Sequence, residues 1–298
     1  MTTPSGLLLI DKASGPTSHD VVARVRRALG VRRVGHAGTL DPMATGLLVV
    51  AVGPATRLLR FAQATTKRYS GEVTLGVATD SLDADGAVVA TAAVPTLDAA
   101  VVAGAAATFT GTILQRAPMV SARRVGGERL HVLARRGVEV ERPAREVVID
   151  AFTLEPTADP ARWRFAVTCS TGTYVRVLLA ELAESLGTVG HLSALRREAS
   201  GARRVEEART VERLEADATA GDPGLEPPSA LVASLERFVV DAADARRLRQ
   251  GQRVAGPAIE GEVAVLDEAG DLVAVAERVD GLYRPVVVVA TDADGRDG

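Results

Sequence analysis

The chain has 298 residues, a net charge of −3, 47% apolar residues and only 3% aromatics. This allows one large domain, or a large and a small one, around an aliphatic core. A single cysteine, Cys169, excludes a disulfide framework and a multi-cysteine zinc site and fits a reducing cytosol. The longest apolar runs, GLLVVAVG and PVVVVA, are too short to span a bilayer, and the start lacks a signal-peptide pattern, so a cytoplasmic protein without a membrane anchor is expected.

Residues 6–11 read as a buried strand. GPTSHDVVARVRRALG follows as a helix capped by Thr17 or Ser18, with Asp20 in its first turn, Val21, Val22, Val25 and Leu29 on one face, and Gly30 as its stop. The loop VGHAGTLDPMATG then places one acidic residue, Asp41, among glycines and a proline, with no other Asp or Glu within ten residues of Gly35–Gly46. The Asp-Pro bond disfavours helical geometry at Asp41, and Gly35, Gly38 and Gly46 are expected to let a ligand approach closely. A turn or cap residue is the default reading of such an aspartate taken alone. An apolar strand at 46–52 and a short helix from Pro54 to about Ala64 come next.

From Tyr69 to Val77 the residues alternate, which starts a strand at Tyr69 and turns its ring to the core side with Val73 and Leu75. TDSLDADG at 79–86 fails as a calcium loop, because counting from Ser81 the twelfth position is Ala92 instead of Glu. Residues 96–109 are an alanine-rich helix. RFAVTCSTGTYVRVLLAELAESLG gives a strand through Phe165, Val167 and Cys169, a tight turn, and a helix with Val175, Leu178, Leu179, Leu182 and Leu186 inward. That arrangement sets Tyr174 and Arg176 at the helix's first turn. Residues 215–229 read as a loop. From about Phe238 a small β-rich unit begins, with a hairpin around Glu268-Ala-Gly-Asp271.

Charge is uneven. Between Arg116 and Arg145 there are eight arginines against three glutamates, which suits a polyanion bound at one place. Lysine is almost absent: only Lys12 and Lys67 are present among 35 basic residues. A position that keeps Lys in such a chain suggests a need for a compact ammonium.

The blocks GLLLIDK, GHAGTLDPMATGLLVVAVGPATRL, TKRY, TDSLDADG, CSTGTYVR and HLSALRR, in this order, resemble the TruB family of tRNA pseudouridine synthases, over residues 6–200 and more loosely in the tail. The resemblance implies an α+β fold: a mixed, mainly antiparallel catalytic sheet with flanking helices over 1–237, an RNA-clamping insert at about 115–140, and a PUA-like RNA-binding unit over 238–298. It implies isomerisation of the T-loop uridine (position 55) of tRNA by an aspartate nucleophile with base flipping. It also implies no metal or cofactor, the tRNA T arm as partner, and a monomer that needs no protein partner.

Carried over by motif, Asp41 is the catalytic aspartate, Tyr69 the tyrosine that stacks on the target base, and Arg176 the arginine paired with the aspartate. Lys12, His36, Asp83, Tyr174 and the insert residues Arg123 and Arg124 fall on substrate-binding positions. A cation beside Asp41 is expected to lower its pKa by about 1–3 units. The chain departs from the family pattern at Ala13, where Lys-Pro is usual, and at Val120, where a tyrosine is usual. Arginine–phosphate attraction is therefore expected to carry more of the docking, with the insert ordering on RNA. Competing readings are a non-catalytic tRNA chaperone, an RNA-guided relative, and a nucleotide-dependent enzyme. The last lacks both G-x-G-x-x-G and a Walker sequence at any strand–helix junction.

Overall fold

The computed structural model describes residues 4–63, 65–119, 121, 124–125, 128–129, 136, 138 and 140–289. Strands β1 (Gly6–Lys12), β2 (Val34–Ala37), β3 (Thr45–Val52) and β4 (Lys67–Leu75) lead to a small hairpin of β5 (Val77–Thr79) and β6 (Val88–Thr91), then to β7 (Gly111–Gln115). A two-residue pair, β8 (Arg124–Val125) and β9 (Glu128–Arg129), lies in the arginine-rich stretch. The chain continues with β10 (Arg145–Pro156), β11 (Arg162–Cys169), β12 (Gly190–Ser200) and β13 (Arg203–Arg204).

One nine-stranded sheet runs in the order β1-β3-β12-β4-β11-β10-β7, with β2 added to β3 and β13 to β12. Its pairs are antiparallel except for a short parallel contact, Arg196 with Thr45 and Arg197 with Gly46. This is the mainly antiparallel α+β arrangement expected. Its first helix, Ser18–Leu29, has local causes at both ends. Thr17 and Asp20 form a reciprocal capping box, and Gly30 closes the helix at φ 64°.

The sheet separates two cores. On one face Leu8, Ile10, Val50, Tyr69, Val73 and Val167 pack with the helices Ser18–Leu29, Ala99–Thr108, Val175–Ser185 and Val211–Thr219. On the other face Leu7, Leu9, Leu47 and Val49 share a cluster with Ala264, Leu266, Leu272 and Val275. Those last four residues belong to a separate four-stranded sheet of β14 (Arg237–Val240), β15 (Glu262–Asp267), β16 (Leu272–Val279) and β17 (Leu282–Val288). The C-terminal sheet therefore covers part of the back of the large one.

Two local readings need correction. The strand expected to run through Val77 stops at Leu75, because Gly76 turns the chain at φ 85° into the β5–β6 hairpin. Residues 215–219 are helical and do not form a loop. The helix Val211–Thr219 starts on Thr210, whose hydroxyl accepts the Arg213 N–H, and buries Val211 and Leu214. No helix among the described residues is long and apolar enough to cross a membrane.

Candidate active site

Asp41 sits in the loop between β2 and β3, and two buried cations hold that loop through its backbone. Lys12, at the end of β1, is fully buried and its ammonium donates to the carbonyls of Ala13, Pro42 and Ala44 at 3.0, 3.0 and 2.6 Å. Arg197, on β12, donates to the carbonyls of Gly38, Thr39 and Leu47 at 3.1, 2.9 and 3.2 Å, and to the Tyr69 hydroxyl at 3.2 Å. Ser18 Oγ accepts from the Leu40 N–H and donates to the Leu40 carbonyl. The loop is thus fixed at almost every carbonyl while the Asp41 side chain is left to the cleft. Lys12 holds the loop and has no exposed surface for substrate, which corrects its expected role. Burial brings its pKa down to about 8, against the pull of Asp41 and Asp85.

Of the three glycines expected to let a ligand approach, Gly38 lines the cleft, whereas Gly35 and Gly46 serve internal packing. Gly46 has φ 98°, and a Cβ there would lie 2.3 Å from the Arg197 carbonyl oxygen. At Gly35 a Cβ would meet Leu59 Cδ1 at 2.7 Å.

Arg176, in the first turn of the helix Val175–Ser185, is 4% exposed and lies between two carboxylates. Its Nε is 3.6 Å from Asp41 Oδ2, and its Nη1 is 3.3 Å from Asp83 Oδ2 and 2.9 Å from the Ser81 carbonyl. Asp83 is itself buried, accepting from Ser81 Oγ and the Asp85 N–H. It therefore supports Arg176 from behind and does not face a substrate as expected. The pairing of Arg176 with Asp41 is present and pulls the carboxyl pKa down as expected, but burial outweighs it. Burial pushes the Asp41 carboxyl above its ordinary value, and Arg176 only partly opposes this. Although 35% of the side chain meets solvent, the dense protein around it and the nearby Asp83 charge favour the neutral acid.

A cleft of about 290 Å³ opens here, lined by the Asp41 loop, Lys67, Tyr69, the turn from Ser170 to Arg176, and Leu192, Leu195 and Arg197. Tyr69 is buried in the sheet, opposite Val167 and Arg197, and the Arg197 guanidinium carbon lies 5.4 Å from the ring centre. Tyr174 lines the same cleft, half-buried. His36 does not line it. Its ring stands edge-on to His19, centres 5.5 Å apart, at the entrance to the Asp41 loop. Burial, with His19 and Arg197 nearby, lowers its pKa to about 4 and keeps it neutral at physiological pH. Arg123 lies outside the described residues, and Arg124 is placed in β8 by its backbone.

The structure adds Arg197 to the site. In the sequence Arg197 is only one basic residue of HLSALRR. The available signal is an arginine two residues after Leu195, on the same face of a regular strand, since a cation on an apolar face must find partners. Among the described residues no group of three or more His, Cys, Asp or Glu side chains is placed to hold a metal ion.

The chain is similar to known proteins along nearly its whole length. The TruB family pseudouridylate synthase (N terminal domain) model matches residues 26–175, and the Pseudouridine synthase II TruB, C-terminal model matches residues 238–289. A protein of Thermobifida fusca (strain YX) named tRNA pseudouridine synthase B is 42% identical over 292 residues, covering 96% of this chain and 98% of that one. One of the same name from Geobacillus kaustophilus (strain HTA426) is 43% identical over 262 residues, covering 85% and 92%. The chain belongs to the TruB family of pseudouridine synthases. Among solved structures, an H/ACA RNP bound to a substrate RNA containing 2′-deoxyuridine aligns with a TM-score of 0.73 at 22% identity, covering 96% of this chain and 85% of that one. A Cbf5-Nop10-Gar1 complex aligns with the same TM-score at 23% identity, covering 96% and 84%. That likeness is one of fold.

Proposed function

We propose that this protein is a tRNA pseudouridine synthase that converts the T-loop uridine at position 55 to pseudouridine. The observation that carries this reading is that Asp41 is the single acidic residue lining the cleft among the described residues, with Arg176 behind it and Tyr69 beside it. The reaction breaks the C1′–N1 bond, forms a C1′–C5 bond, releases the proton from C5 and returns one to N1. It needs a carboxylate that can attack, a cation to steady it, and a flat surface against which the freed base turns. Asp41, Arg176 and Tyr69 supply these in turn. The two immobilised cations, Lys12 and Arg197, hold the loop so that the carboxylate requires little reorganisation.

The uridine must leave its stack to reach Asp41, at a cost of a few kcal/mol. Contacts of the arginine-rich insert with phosphate offset that cost. Neutral His36 is suited to occupy the vacated space, since an uncharged ring is cheaper to place among bases. We read residues 1–237 as the catalytic unit and 238–298 as an RNA-contacting unit. One copy of the chain would act on the T arm in the cytoplasm, without a further protein partner. The test is nucleoside mapping of an unmodified tRNA transcript after incubation with the protein. Pseudouridine at position 55 supports the assignment, and an unchanged uridine there contradicts it.

A further inference from the structure

The carboxamide of Gln115 makes two hydrogen bonds with one residue, Tyr174. Its Nε2 donates to the Tyr174 carbonyl at 3.3 Å, and its Oε1 accepts the Tyr174 N–H at 3.0 Å. This is the exchange a neighbouring strand residue would make, supplied here by a side chain that is 3% exposed. Tyr174 caps the helix Val175–Ser185 with φ −98° and ψ 101° and without a side-chain cap. The Tyr174 carbonyl also accepts the N–H groups of Val177 and Leu178, both at 3.1 Å. The backbone unit that Gln115 grips is therefore the one that starts the helix, two residues before Arg176.

Gln115 also stands at a particular place in the chain. It ends β7 in register with Arg145, which starts β10, so the pair closes the root of the arginine-rich insert. Just beyond it, Arg142 donates to the Ala117 carbonyl at 3.0 Å, and buried Ala117 packs with Met119, Val140 and Tyr174. The two roots of the insert thus meet the start of the Arg176 helix through backbone and side chain alike.

We propose that Gln115 is a positioning residue for the pseudouridine reaction, fixing the helix start so that Arg176 stays between Asp41 and Asp83. This rests on the reading of the cleft given above. A carboxamide suits the task, because it sets an N–H donor and a carbonyl acceptor side by side in a single planar group. Methionine has the same reach and neither bond, whereas glutamate keeps the acceptor and sets a second oxygen against the Tyr174 carbonyl. A shift of the helix start by about 1 Å would misplace Arg176 by a similar amount, and misplacement of that size can slow a reaction up to about 100-fold.

The experiment compares wild type, Gln115→Met, Gln115→Glu, Arg176→Lys and the Gln115→Met/Arg176→Lys double variant. T-arm RNA labelled with tritium at uridine C5 is used under single turnover with enzyme in excess, and RNA affinity is measured separately. Gln115→Met should react at least about tenfold more slowly while its Kd stays within about threefold, which places the loss in the chemical step. Adding it to Arg176→Lys should slow the reaction by less than about threefold more, because the group it positions is already altered. A wild-type rate in Gln115→Met, a loss confined to Kd, or multiplicative effects in the double variant would each overturn the proposal. Should Gln115→Met fail to fold, Gln115→Glu carries the same comparison. A wild type that releases no tritium overturns the reading of the cleft instead. Amide exchange at residues 174–178 then decides the positioning claim, with faster exchange in Gln115→Met supporting it and equal exchange overturning it.

Discussion

Replacing Arg197 with Met should damage both stability and turnover, and the size of the loss follows from what the guanidinium holds. Its bonds to the Leu47 carbonyl and the Tyr69 hydroxyl are buried, and those to Gly38 and Thr39 are partly so. Leaving a buried acceptor without a partner costs about 1–3 kcal/mol, and water can recover part of that at the two half-open carbonyls. Removing a buried cation relieves some desolvation, as the aliphatic part of Met fills the same space. The balance is about 3 kcal/mol, a large share of the ~5–15 kcal/mol by which domains are stable. Equilibrium urea unfolding reads this as a shift in midpoint at unchanged slope. Turnover should fall at least about tenfold, because the Asp41 loop loses one of its two cationic anchors. A stability loss below about 1 kcal/mol together with full activity would refute the claim that Arg197 holds the loop.

Asp41→Asn should be more stable than wild type at neutral pH. Folding raises the Asp41 pKa, so between the unfolded and folded values the native chain binds more protons, and stability falls as pH rises through that interval. Asn removes this deficit, and the gain in Tm should shrink as pH is lowered toward about 4; a variant less stable at pH 7 would contradict the burial argument. Gly46→Ala should cost at least about 2 kcal/mol, from left-handed backbone and from the close approach of the β12 carbonyl; thermal melting within about 1 °C of wild type would show that the two strands separate easily. Deleting residues after Glu236 should leave an aggregating protein, since Leu7, Leu9, Leu47 and Val49 lose their cover and Arg60 loses Glu262. A well-behaved monomeric truncate would show that the back core is self-sufficient. The RNA role of the tail is better tested by Arg246→Ala/Arg247→Ala, both exposed. This variant should lower the salt slope of tRNA binding by about 0.9 for each phosphate that is no longer neutralised, and an unchanged slope would remove that face from the interface.

The parts legible in the sequence are those with local causes. Thr17, Asp20 and Gly30 mark the first helix because its cap and stop lie within the segment itself. Phe165, Val167 and Cys169 mark β11 by alternation, and the Asp41 block stands out through its own residues. The features that sequence reverses or misses have distant causes. Arg197 meets Gly38, Thr39 and Leu47 from about 150 residues away in sequence, and no window of the chain shows that meeting. Asp83 lies near the cleft as its motif implies, but Leu82 at φ 65° breaks the chain direction just before it, so its inward turn beneath Arg176 is not readable from the motif. The helix Val211–Thr219 is partly hidden because Gly221, Pro223 and Gly224 follow it closely and pull the whole stretch toward a loop. The pKa of Asp41 has a similar explanation: the arginine is visible in the motif, but the surrounding burial is not.

Asp41 as the reacting carboxylate of a uridine isomerase is the point on which the rest depends. Tritium release from C5-labelled T-arm RNA at saturating enzyme tests it most directly, comparing wild type with Asp41→Asn. Wild type should release tritium stoichiometrically with uridine converted, and Asp41→Asn should release none above background while binding the RNA with near-normal Kd. Substantial release by Asp41→Asn would contradict this role, because another group would then carry the reaction.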